Sequence, residues 1–160
     1  MDGMDSTKPT GAAVNFPPPL LFLMLIGVGF SLESFLYATA GLLEGRLLGL
    51  GWAFIALAMV VFKLAIQHFS DTEQDVRPWA ESPELIVDGI YRYTRNPMYV
   101  GMGLLQTGIG LTTLNLWTIG LVPVGLALVY VIAIRPEEEY LTGKFGQPYV
   151  DYTKRVSRWI

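Results

Sequence analysis

The 160-residue sequence contains no cysteine, which excludes disulfides, thiolate metal sites, iron–sulfur clusters and a cysteine nucleophile. It contains one histidine, His68, so a zinc site built from imidazole and thiolate is excluded as well. Charge is scarce. Only 16% of the residues are charged, against roughly 25% in an ordinary soluble domain. The eleven Lys and Arg residues are outnumbered by fourteen Asp and Glu, for a net charge of −3, and no basic surface argues for nucleic acid. What replaces the charge is apolar: 52% of the residues are hydrophobic and the mean hydropathy is +0.42. That composition is too apolar for a typical water-soluble domain and is the opposite of a disordered chain.

The hydrophobic residues lie in runs. Residues 9–32 carry no charge, residues 47–62 form a second uncharged run ended by Lys63, and residues 96–134 form a third of 39 residues. A bilayer core needs about 20 residues of helix, so the third run is long enough for two spans, with Asn115 among Thr112, Thr113 and Trp117 as the natural turn. The reading is an all-α integral membrane protein with about four transmembrane helices, near 18–38, 47–66, 97–114 and 117–135. An N-terminal tail covers 1–17. A single domain covers 18–160 and includes a loop at 67–95 and a tail at 136–160. Buried helices of a soluble protein would need a polar shell, and too little polar sequence remains to supply one. Residues 18–38 read as a retained span, because no small-residue cleavage site follows cleanly.

Four spans place the N-terminus, the 67–95 loop and the C-terminal tail on one side. Ten of the eleven basic residues fall there and only Arg46 falls on the other, so the positive-inside rule makes that face, with both termini, cytoplasmic. The loop and the tail therefore meet at one membrane face.

The loop ends Asp88-Gly-Ile-Tyr-Arg-Tyr-Thr-Arg-Asn-Pro-Met-Tyr-Val-Gly101. Asp-Gly suggests a turn, and Asn96-Pro97 a helix start with Asn as cap and Pro at the first helical position. Three tyrosines (Tyr91, Tyr93, Tyr99), two arginines (Arg92, Arg95) and a helix N-terminus within nine residues exceed what an interfacial belt needs. They form a candidate pocket for a ligand with a carboxylate and an aromatic base. The tail opens Arg135-Pro-Glu-Glu-Glu-Tyr140. Its carboxylates suit a helix first turn or a cationic ligand group, and Arg135 and Glu139 suit a helical ion pair. Tyr149, Tyr152 and Val156 recur at helical spacing among Lys154, Arg155 and Arg158, which predicts a short amphipathic helix on the membrane face. Gly101-Met-Gly103 and Gly108-Ile-Gly110 follow no strand; within a span such residues permit close helix packing.

Arg95-Asn-Pro-Met-Tyr99-Val-Gly101, preceded by Leu85-Ile-Val-Asp-Gly89-Ile-Tyr91 and followed by Pro136-Glu-Glu-Glu-Tyr-Leu141, Phe145-Gly146, Tyr149, Tyr152 and Arg155-Val156, resembles the isoprenylcysteine carboxyl methyltransferase family, within the wider group of membrane phospholipid methyltransferases. The resemblance covers about residues 70–160. It implies methyl transfer from S-adenosylmethionine to a lipid-like or amphipathic acceptor, with neither metal nor nucleic acid as partner. It further implies cofactor contacts at Leu85, Ile86, Tyr91, Arg95, Asn96, Pro97, Tyr99, Glu137 and Glu138, with Glu137 as the first carboxylate of the pair, and catalytic roles for Asn96 and Arg135. Asn96 stands where the eukaryotic enzymes carry His. The substrate-side arginine of those enzymes falls on Ala133, so Arg135 takes its place only if the helix rotates or kinks at Pro136. A membrane reductase using a nicotinamide cofactor is the alternative enzyme, though the loop is more acidic than basic. A non-enzymatic four-helix scaffold or transporter is the other alternative.

Overall fold

A computed structural model describes residues 12, 14, 16–36, 47–71 and 84–160, residues 68–71 by their backbone alone. The expected N-terminal tail, the far end of the first span, Arg46, and the loop through Pro78 and Pro83 lie largely or wholly outside the described residues. Among the described residues every regular element is helical and no strand occurs. In chain order the elements are α1 (Pro18–Leu36), α2 (Leu47–Asp71), a 3-10 turn (Gly89–Arg92), α3 (Pro97–Thr112), α4 (Leu116–Gly120), α5 (Val122–Val129), a π turn (Tyr130–Ile134), α6 (Arg135–Phe145) and α7 (Gln147–Arg155). From α4 to α6 the chain runs on as one helix, Leu116–Phe145.

Three of these helices are long and apolar enough to cross a membrane: Pro18–Leu36, Leu47–Gln67 and Leu116–Phe145. Their outer faces are rich in exposed hydrocarbon. Leu23 is 62% exposed, Trp52 65%, Met59 58% and Val131 60%. Apolar surface of that extent is foreign to a soluble monomer. The expected span at 97–114 is shorter than the others. At 1.5 Å per residue the 16 residues of α3 rise about 24 Å, less than the roughly 30 Å of a bilayer core. It ends at Thr112 because Leu114 takes a positive φ of 56° and Asn115 begins the next helix, its side chain accepting from the Thr118 backbone N–H at 2.9 Å. The Asn115 amide also donates to the Gly29 carbonyl at 3.2 Å, which ties this turn to α1.

Small residues set the packing. α2 and α3 share the most extensive interface, and a Cβ on Gly108 would come within 2.9 Å of the Gly51 carbonyl and 2.7 Å of Ile55. The two backbones touch there because neither glycine has a side chain. The main core joins Leu21 and Phe22 of α1, Tyr99 of α3, and Val129, Ala133 and Ile134 in the second half of the long apolar helix. It lies at the end of the bundle where α1 and α3 begin.

Pro136 does not break the long helix. Lacking an N–H, it cannot bond the carbonyl four residues back. The chain widens instead into a π turn, in which the Arg135 N–H donates to the Tyr130 carbonyl five residues earlier. α6 then continues with Pro136 in its first turn, where the missing donor costs little.

Candidate active site

Two helix beginnings converge at this end of the bundle. The 3-10 turn and Asn96-Pro97 bring Tyr91, Arg95 and Tyr99 inward, and the π turn delivers Glu137 and Glu138 opposite them. The Tyr99 hydroxyl donates to Glu137 Oε2 at 3.0 Å, and Arg95 Nη1 donates to Glu138 Oε1 at 2.9 Å. The Arg95 side chain is only 11% exposed, yet its Nε has no partner among the described residues. A buried guanidinium donor left without an acceptor is costly.

The three adjacent glutamates have three environments. Glu139 is two-thirds exposed and pairs with Arg135 across one helical turn. Glu138 is held by two arginines, Arg95 and Arg158. Glu137 accepts from Tyr99 and forms no ion pair among the described residues.

Asn96 occupies the N-cap position of α3, but its side chain does not cap the helix. Its amide donates instead to the Arg158 carbonyl at 3.0 Å. The Thr94 hydroxyl donates to the same carbonyl at 3.2 Å, and the Arg95 N–H to the Ser157 carbonyl at 3.0 Å. The residues after α7 are thus bonded onto the segment that precedes α3. Helix α7 closes the site from the same side. Tyr149 and Tyr152 are buried, and the Tyr152 hydroxyl donates to the Tyr91 carbonyl at 2.7 Å, while Asp151, Lys154 and Arg155 face outward. Burial holds the Tyr91 and Tyr152 phenols above the ordinary tyrosine range, for Tyr91 with the added effect of the Glu137 carboxylate. Burial and the Glu138 carboxylate also raise Tyr149, against a smaller pull downward from the charge of the Arg95 guanidinium and its hydrogen bonding to the Tyr149 hydroxyl.

Of the residues expected at the site, Tyr91, Arg95, Asn96, Pro97, Tyr99, Glu137 and Glu138 come together. Leu85 and Ile86 are half-buried in the stretch before the 3-10 turn, and the backbone of residues 85–87 makes no hydrogen bond among the described residues. Arg135 lies apart: the π turn leaves it on the outer face, paired with Glu139. Tyr130 and Arg158 join the site without any mark in the sequence, since one sits in an apolar run and the other among solvated tail cations. Beside the polar cluster lies an apolar groove of about 490 Å³ between α3 and α5, lined by Val100, Leu104, Val122, Leu126 and Tyr130, with Arg158 and Trp159 at its rim.

The family profile described as phospholipid methyltransferase matches residues 46–148, well over half of the chain and both halves of this site. Over 76 residues the chain is 36% identical to the protein named Protein-S-isoprenylcysteine O-methyltransferase of Schizosaccharomyces pombe. That alignment takes in 48% of this chain and 32% of the relative, so the chain spans about a third of the curated protein it matches. No solved structure matches it.

Proposed function

The chain belongs to the phospholipid methyltransferase family, and on that basis we propose that it is a membrane-embedded methyltransferase that uses S-adenosylmethionine and methylates a lipid-like acceptor, the carboxylate of a prenylated cysteine being the acceptor its named relative suggests. The observation that carries the reading is the approach of Glu137, a carboxylate with no ion pair among the described residues, to Arg95, a buried guanidinium whose Nε has no partner among them, at one tyrosine-rich end of the bundle.

The residues fit such a cofactor. Glu137 can hold its ammonium, Arg95 its carboxylate through the open Nε, and the faces of Tyr91 and Tyr99 its adenine or sulfonium. The backbone groups of Leu85, Ile86 and Val87 can bond the rest, and Asn96 and Pro97 fix the turn that orients Arg95 and Tyr99. The cofactor when bound supplies an activated methyl group. The protein's part is positioning, which for two well-oriented reactants accounts for about 7–11 kcal/mol of a barrier. A carboxylate acceptor needs no base.

The groove between α3 and α5 suits the apolar part of the acceptor; its volume lies within the roughly 300–1,000 Å³ of small-molecule sites. The same reading takes α3, though short, as a fourth membrane helix, places the site and both termini at the cytoplasmic face, and rests α7 at the membrane surface with its tyrosines turned into the protein. Calorimetry in detergent tests it. The protein is expected to bind S-adenosylhomocysteine, and Glu137→Gln to weaken binding at least about ten-fold, the loss of one charge-assisted pair. A folded sample that binds none at millimolar ligand contradicts the reading.

A further inference from the structure

Besides the direct bonds of Tyr99 to Glu137 and Arg95 to Glu138, Arg158 ties the two halves of the site together a further time. Its Nε and Nη2 donate to the two oxygens of Glu138, each at 2.9 Å. Its guanidinium lies over the Tyr130 ring, 4.8 Å from the centroid, inside the π turn that sets the register of α6. Its own carbonyl accepts from Thr94 and Asn96. Glu138 in turn accepts from Arg95. The bonds form a closed circuit: Arg158 main chain to the 94–96 segment, Arg95 to Glu138, and Glu138 back to the Arg158 side chain. A planar fork fills both carboxylate oxygens at once, whereas an ammonium acts as a point charge.

We propose that Arg158 is a positioning residue for methyl transfer, which clamps Glu138 so that the one carboxylate holds Arg95 with its Nε directed at the anionic end of the cofactor. The inference rests on the reading of the site as a methyl-donor pocket and adds to it a residue outside the matched family region, which ends at residue 148. Arg158 acts through Glu138 and Arg95. It also lines the apolar groove. Loss of its side chain frees Glu138 to fold onto Arg95 and close its open donor.

The test is a double-mutant cycle on the affinity for S-adenosylhomocysteine, measured by calorimetry for the wild type, Arg158→Gln, Glu138→Gln and the double variant, with the melting temperature of each ligand-free protein recorded alongside. Each single substitution is expected to weaken binding about ten-fold or more, and the double to be no weaker than the worse single, because residues in one circuit are coupled. Arg158→Lys, which keeps the charge and serves if Arg158→Gln does not fold, is expected to recover part of the affinity. In turnover it should raise KM for the methyl donor with kcat nearly unchanged. Unchanged affinity in folded Arg158→Gln or Arg158→Lys, or losses that multiply in the double variant, overturns the inference while leaving the methyl-donor reading intact. Absence of binding by the wild type overturns both.

Discussion

Glu137, Glu138 and Glu139 are the same side chain three times, and their surroundings separate them. Glu139 is solvated against Arg135, an exposed pair worth only a few tenths of a kcal/mol, so Glu139→Gln is expected to leave both melting temperature and ligand affinity unchanged, in contrast to Glu137→Gln. Tyr152 offers a second outcome of the same kind. Its buried hydroxyl bonds the Tyr91 carbonyl, and Tyr152→Phe removes that bond at a cost of about 0.5–1.5 kcal/mol, read as a lower melting temperature. The raised phenols of Tyr91 and Tyr152 set an alkaline limit. A group whose folded pKa lies above its unfolded value stabilises fully below the unfolded value, 10.0 for tyrosine, and that stability is lost as pH climbs beyond it. Thermal melts at rising pH should therefore fall from about pH 10 upward, and Tyr152→Phe should flatten the fall. The sequence made the tyrosine and arginine cluster legible by its density. It also offered Glu139 as the helical partner of Arg135, a local pair that the structure shows, but it could not find Arg158 or its hold on Glu138, which depends on contacts between residues far apart in the chain.

Among the helices and turns, local signals worked where the answer was local. Asn115 lies at the turn before α4, as its neighbours in sequence suggested, and there its side chain also caps that helix; Pro97 opens α3 as expected. Asn96 shows the limit: it stands at a cap position, but the Arg158 carbonyl takes its amide instead. Pro136 shows another. Its chemistry demands a disturbed helix, and whether this becomes a kink or a π turn depends on what Tyr130, Ile134 and Arg135 pack against. Of the glycines that permit close packing, Gly51 and Gly108 meet backbone to backbone. Gly108→Ala should drive α2 and α3 apart and cost about 1–3 kcal/mol as an overpacked contact, whereas Gly27→Ala, with nothing within 4 Å of its added Cβ, should be neutral or gain up to about 1 kcal/mol from helix propensity. Melting temperatures of the two variants in the same detergent check this.

For the molecule taken together, hydropathy alone announced the helical membrane class. The length of α3 was not legible, since the uncharged run continues through the turn that ends it. The proposed orientation is open to test, because a chain without cysteine accepts a single reporter. In vesicles with the cytoplasmic face inside, an impermeant maleimide is expected to label Thr113→Cys at the far turn and to spare Lys154→Cys until the membrane is permeabilised; the reverse pattern inverts the orientation. The rest of the mechanism turns on the start of α3 and the start of α6 enclosing one methyl donor. Tyr91, Tyr99, Tyr149 and Tyr152 are buried at that end of the bundle, so irradiation of the purified protein with S-adenosylmethionine labelled in its methyl group, followed by peptide mapping, reads it out. Label is expected within residues 84–99 or 137–152 and should be competed by S-adenosylhomocysteine; label confined to other segments, or none, contradicts the enclosure.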